Sequence, residues 1–137
     1  MLSERLTGCV GMRTWIPNIR TMLKTLEVSL ARMPQEIGEV PKAICMISGH
    51  WEESSFAVMT SPHPPMVYDY CGFLPETYKI VYPAPGAPEI TLHTADLIKA
   101  ACLPVSLDAK RGFDHGTFAP AFVIYPAANV PIYQVSL

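Results

Sequence analysis

The sequence predicts an α/β domain, and three features predict it. Apolar residues recur at helical spacing at Ile19, Met22, Leu23, Leu26 and Leu30. A short polar connection over 35–41 then leads into an unbroken run of small and branched apolar residues at 43–47. Strand-like and helix-like segments go on alternating to residue 137. A helix that feeds a strand through a short loop is the repeating step of layered α/β proteins. With 137 residues the chain is long enough to bury a core and short for an α/β enzyme with a deep cleft, so a single domain over 1–137 is expected.

In order, the spacing predicts a first helix over 14–32, with Pro17 tolerated in its first turn and Met33-Pro34 ending it. Residues 43–47 predict a strand buried on both faces, which Ser48-Gly49 stops. His50 follows at once, where α/β proteins place ligands and chemistry, just beyond the carboxyl end of a strand. A second strand is expected over 56–60. The segment 61–75 is too rich in proline for regular structure and too apolar, at Met66, Val67, Tyr68, Tyr70 and Phe73, for a solvated linker. It is expected to be a packed loop, either walling a binding site or capping the core.

Pro75 can open a brief helix to Ile80, and 82–88 reads as a rigid turn before a helix over 89–101 carrying Ile90, Ala95, Leu97 and Ile98. A third strand is expected over 104–107, then a polar loop over 108–117 that holds His115, then a short apolar helix from Pro120 to about Tyr125. Residues 130–137 alternate like a strand, Ile132, Gln134 and Ser136 against Tyr133, Val135 and Leu137. Stopping on such a strand suggests a segment whose natural neighbour is missing, with apolar surface left open to self-association.

Composition narrows the function. Half the residues are hydrophobic and 16% are charged, which excludes a disordered chain. A net charge of -2 offers no electrostatic reason for a nucleic-acid or anionic-membrane partner and suits a small, weakly charged ligand better. No signal-peptide core or membrane span is apparent, so a soluble cytoplasmic protein is expected. Cys9, Cys45, Cys71 and Cys102 are scattered and never form Cys-x-x-Cys, which predicts buried free thiols. No Gly-x-Ser-x-Gly setting favours a hydrolase.

Four histidines are present, and none is spaced as His-x-x-x-His, so spacing alone predicts no closed metal site. His63, between prolines, and His93, in a helix, read as structural. His50 and His115 each sit beside glycine and near an acid, in Gly49-His-Trp-Glu52 and Asp114-His-Gly116. A carboxylate there can fix an imidazole's tautomer, as metal ligands and proton carriers need; a histidine that merely caps a strand end is the other reading.

Five stretches in order, Ile47-Ser-Gly-His-Trp-Glu52, Tyr68-Asp-Tyr-Cys-Gly-Phe-Leu-Pro75, Tyr82-Pro-Ala-Pro-Gly-Ala-Pro88, Arg111-Gly-Phe-Asp-His-Gly-Thr117 and Pro131-Ile-Tyr-Gln-Val-Ser-Leu137, resemble the DODA-type (4,5-DOPA dioxygenase-like) extradiol dioxygenases of the LigB-like class III group. The resemblance implies a central mixed, largely parallel sheet flanked by helices, in a partial version of the LigB-like fold. It implies non-haem Fe(II), or Zn(II), with His50 as metal ligand, His115 as catalytic and pocket residue, and Tyr68 and Asp69 beside it in the substrate pocket. The implied partners are a small catecholic substrate and dioxygen, with the ring opened next to the diol.

The family also carries a His-Gly-x-Pro histidine near its start, whereas no histidine precedes His50 here, and an Asn-x-x-His segment beyond the strand that matches 131–137. A non-haem iron site wants about three protein ligands. The ion is therefore expected to bind weakly or incompletely. A truncated or degenerate homologue that binds without turnover is the alternative expectation.

Overall fold

A computed structural model describes residues 19–137. Its elements are α1 (Ile19–Ile37), β1 (Ile44–Ile47), β2 (Phe56–Met59), a 3-10 turn (Pro75–Lys79), α2 (Pro88–Ala100), β3 (Val105–Asp108), α3 (His115–Ile124) and β4 (Ile132–Val135). The strands form one mixed sheet in the order β1-β4-β2-β3. β1 runs parallel to β4, with Ile44 opposite Ile132, and β2 runs parallel to β3; β2 and β4 are antiparallel, with Val58 opposite Val135. The α/β class and the mixed, largely parallel sheet with three flanking helices are as expected.

The last strand in sequence is an inner strand of the sheet. All four residues of β4 are buried, and its apolar side chains join Val58, Met59, Phe113 and Tyr82 in the core. Burial pushes the Tyr82 phenol up to about 12, while its hydroxyl donates to the Tyr125 carbonyl at 2.8 Å. α1 packs on α3, and α2 packs on β2 and β3. No described helix is long and apolar enough to cross a membrane.

Five expectations are corrected. β1 is not buried on both faces: it lies at the sheet's edge, and its side chains alternate between half-buried Ile44 and Met46 and exposed Cys45 and Ile47. Cys45, Cys71 and Cys102 are exposed free thiols and not core residues, because they fall on that open face, in a loop and in the turn after α2; Cys9 lies outside the described residues. α1 continues through Pro34 to Ile37, with the Gly38 N–H closing on the Pro34 carbonyl at 3.1 Å, and the predicted stretch 14–18 lies outside the described residues. Leu26, placed on the buried face by spacing, is 54% exposed.

The fifth correction bears on function. Residues 115–117 are not loop, for α3 begins at His115 and runs through Pro120. Asp114 caps it, accepting from the Thr117 N–H at 3.0 Å, which satisfies one of the amides a helix start leaves free.

Candidate functional site

β1 delivers His50 to the site. The Trp51 N–H closes on the Ser48 carbonyl at 3.2 Å, so Gly49 and His50 form the tip of a tight turn at the carboxyl end of the strand. His50 projects from it with its side chain 46% exposed, while Ser48 and Trp51 at either end of the turn are buried.

The packed loop brings the second component. Val67 donates to the Phe113 carbonyl at 2.8 Å, and Phe113 donates back to the Pro65 carbonyl at 2.8 Å, a parallel bridge between Met66 and Phe113. The approach is close enough that a Cβ at residue 112 would sit 2.0 Å from the Pro65 oxygen, so only glycine fits at Gly112. Running on in parallel from the bridge, the two segments carry Asp69 and His115 to the same place.

There the Asp69 carboxylate lies between two imidazoles. His115 Nδ1 is 2.7 Å from Asp69 Oδ1, and His50 Nδ1 is 3.3 Å from Asp69 Oδ2. The His115 backbone N–H also donates to Asp69 Oδ1 at 3.2 Å. The imidazole rings lie tilted at 47° to each other with centroids 4.1 Å apart, and Tyr70 stands edge-on to His115 at 5.5 Å.

Burial pushes the Asp69 carboxyl up, but the hydrogen bonds from the His115 side chain and backbone outweigh it and hold the group below its ordinary 3.8. A depressed folded-state value stabilises the fold above pH 3.8, and that contribution is lost as pH falls through the lowered value. Denaturant unfolding at a series of acid pH values should therefore show the chain losing stability more steeply than Asp69→Asn below pH 3.8. Parallel acid profiles for the two would contradict this.

One ligand atom each from His50, Asp69 and His115 lie within 4.8 Å of one another. Two imidazoles and one carboxylate with open positions around them is the donor composition of non-haem Fe(II) oxygenase sites, and it also suits Zn(II). The residues present fit such an ion, with His50 and Asp69 as its nearest donors and His115 engaged through Nδ1 with Asp69. Spacing alone predicted no closed metal site, because the three donors come from separate segments and meet only through the fold.

Behind the donors lies a buried polar cluster around Asp114, which is fully buried. Its carboxylate accepts from Ser48 Oγ at 2.8 Å, Gln134 Nε2 at 2.8 Å and the Arg111 guanidinium. Arg111 also lies over the Trp51 ring at 4.9 Å and donates to the His50 carbonyl at 3.4 Å. Asp114 thus ties the end of β1, the start of α3 and the middle of β4 together directly under His50 and His115.

Of the predicted site residues, His50, Asp69 and His115 converge and Tyr68 does not join them. Its hydroxyl donates to the Ile80 carbonyl at 2.7 Å, and its ring packs edge-on against Tyr70, Tyr78 and Phe118. The acid that reaches the His115 ring is Asp69 and not its neighbour Asp114, which turns back to cap the helix. Sequence reasoning missed Ser48, Arg111, Gln134 and Tyr70. Asp114, a residue type favoured at helix starts, was the available signal for the start of α3. His63 and His93 are exposed and outside the donor cluster.

Residues 21–137 match the family described as the catalytic LigB subunit of aromatic ring-opening dioxygenase. The chain is 41% identical over 98 residues to the dioxygenase tasH of Hapsidospora irregularis, covering 71% of this chain and 30% of the relative. It is 39% identical over 98 residues to a 4,5-DOPA dioxygenase extradiol of Beta vulgaris, covering 71% and 37%. The crystal structure of an uncharacterized protein from Escherichia coli K12 superimposes with a TM-score of 0.57 at 32% identity, covering 78% of this chain and 39% of that one. The chain thus spans about a third of the length of the curated relatives it matches.

Proposed function

We propose, from the premise that this chain belongs to the LigB family of aromatic ring-opening dioxygenase catalytic subunits, that it carries part of an extradiol site for a catecholic substrate and dioxygen. The observation that carries the reading is the convergence of His50, Asp69 and His115, two imidazoles and one carboxylate, at the end of β1. A bound Fe(II) or Zn(II) would act as a Lewis acid and a template for the diol.

Each side chain then takes a distinct part. His50 offers Nδ1 as the ligand nitrogen, 3.3 Å from Asp69 Oδ2, which is the neighbouring donor to the same ion. Asp69 Oδ1 accepts from His115 Nδ1, which fixes the tautomer and leaves Nε2 of His115 as the acceptor that takes a proton from a substrate hydroxyl. Tyr70, edge-on to His115, supplies an aromatic wall, and Tyr68 braces that wall through its ring. The Tyr68 hydroxyl is already committed to Ile80.

The exposure of the imidazoles, 46% for His50 and 36% for His115, favours a second reading, a homologous domain that binds without turnover, because a site this open excludes little water. Oxygen uptake separates the two. After anaerobic addition of Fe(II), the chain is expected to consume oxygen slowly with DOPA or another catechol and to lose that uptake in His50→Ala. His50-dependent metal binding without oxygen uptake would select the second reading. Metal binding and uptake both indifferent to His50 would remove the first.

A further inference from the structure

We infer that Gly116 and Ser48 are positioning residues for His50: the missing side chain at 116 makes the room in which the His50 ring lies beside His115, and the Ser48 hydroxyl ties the His50 turn to Asp114. The inference rests on the reading of His50 as a metal ligand for its importance, though not for its geometry.

A Cβ added at Gly116 would lie 2.6 Å from Ser48 Oγ, 2.9 Å from Cδ2 of the His50 ring and 3.3 Å from Asp114 Oδ1. All three neighbours belong to the site or its support. Two of these separations are shorter than non-bonded atoms accept, so something must shift. Ser48 is buried and Asp114 is held by four donors, whereas the His50 side chain is 46% exposed. The ring is the exposed neighbour and the Ser48 hydroxyl the nearest one, so a side chain at 116 presses both on the His50 ring and on the hydroxyl that ties its turn.

Ser48 holds the same turn from the other side. Its single hydroxyl proton goes to Asp114 Oδ1 at 2.8 Å, so its lone pair faces the His50 N–H at 3.2 Å. The hydroxyl passes the fixed position of the buried carboxylate to the backbone of the turn. Alanine is a better helix former than glycine, so intrinsic propensity gives Gly116→Ala no reason to weaken α3, and its effect arises from the contacts with Ser48 and His50.

The test uses the full chain, first without metal and then titrated with Zn(II) in competition with a chromophoric chelator. In the unsubstituted chain a nuclear Overhauser contact is expected between the His50 and His115 rings, whose centroids are 4.1 Å apart. Gly116→Ala should abolish it, weaken Zn(II) binding at least about tenfold, as the loss of an orienting contact does, and leave amide signals of β2, β3 and α2 in place. Ser48→Ala, which adds no volume, should weaken the ring contact and Zn(II) binding in the same direction.

A merely structural role would lower the melting temperature without moving either readout. Retention of the ring contact and of Zn(II) affinity in Gly116→Ala, or in Ser48→Ala should the first variant not fold, would overturn the inference. If the unsubstituted chain takes up no Zn(II), the metal-ligand reading falls, while the ring contact still decides the role of Gly116.

Discussion

Replacing His50 by alanine is expected to lower Zn(II) affinity by more than about 100-fold, since even residues that only orient a ligand cost about 10–100-fold in affinity when removed. His115→Ala should cost no more than that second range. The difference follows from the two distances to Asp69. His115 Nδ1 sits at 2.7 Å from Oδ1, a hydrogen bond that occupies the nitrogen nearest the cluster, while His50 Nδ1 stands back at 3.3 Å from Oδ2. On the proposed reading His115 serves the ion through Asp69 and the substrate through Nε2. Its loss should fall on oxygen uptake more heavily than on metal. Asp69→Asn should lie between, because it removes the negative donor beside His50 and the partner of His115 together. Competition titration of the three variants gives the order, and a His115→Ala loss equal to that of His50→Ala would recast His115 as a third ligand.

The parts of this site that could be read along the chain are those set by local chemistry. The apolar run before Ser48 and Gly49 forces a strand to stop there, so His50 at its carboxyl end was legible. The proline-rich but aromatic segment 61–75 could only be a packed loop, so its presence against the site was legible as one of two readings. What was not legible is set by contacts across the fold. Asp69 meets His115 because Met66 bridges Phe113 in parallel, a register between segments 47 residues apart that no spacing rule encodes. The Asp-His-Gly stretch misled for the opposite reason. Adjacency suggested that Asp114 orients His115, but a residue at a helix cap points its carboxylate back at the first turn, and Pro120 disguised that turn as loop. Cys45 was misplaced because an edge strand and a doubly covered strand share one composition; only the sheet order shows which is which.

Replacing Asp114 by alanine is expected to cost about 3–5 kcal/mol of unfolding free energy, the range for removing one partner of a buried ion pair. The loss is large because of what it strands. Arg111 keeps a charge that is 16% exposed, Gln134 keeps a fully buried amide, and α3 loses its cap. A chain of this size is stable by about 5–15 kcal/mol, so the variant stands near the edge of folding. Asp114→Asn keeps the shape but turns an amide toward groups that donate, so it should recover little. Removing both charges, as in Arg111→Met with Asp114→Leu, should restore much of the loss, since a buried pair replaced by apolar side chains is often neutral. Urea unfolding of the two single variants and the double one measures the coupling. A single-variant cost under about 1 kcal/mol, typical of an exposed pair, would mean that Asp114 does not hold β1, α3 and β4 together, and the platform under His50 and His115 would have to be sought elsewhere.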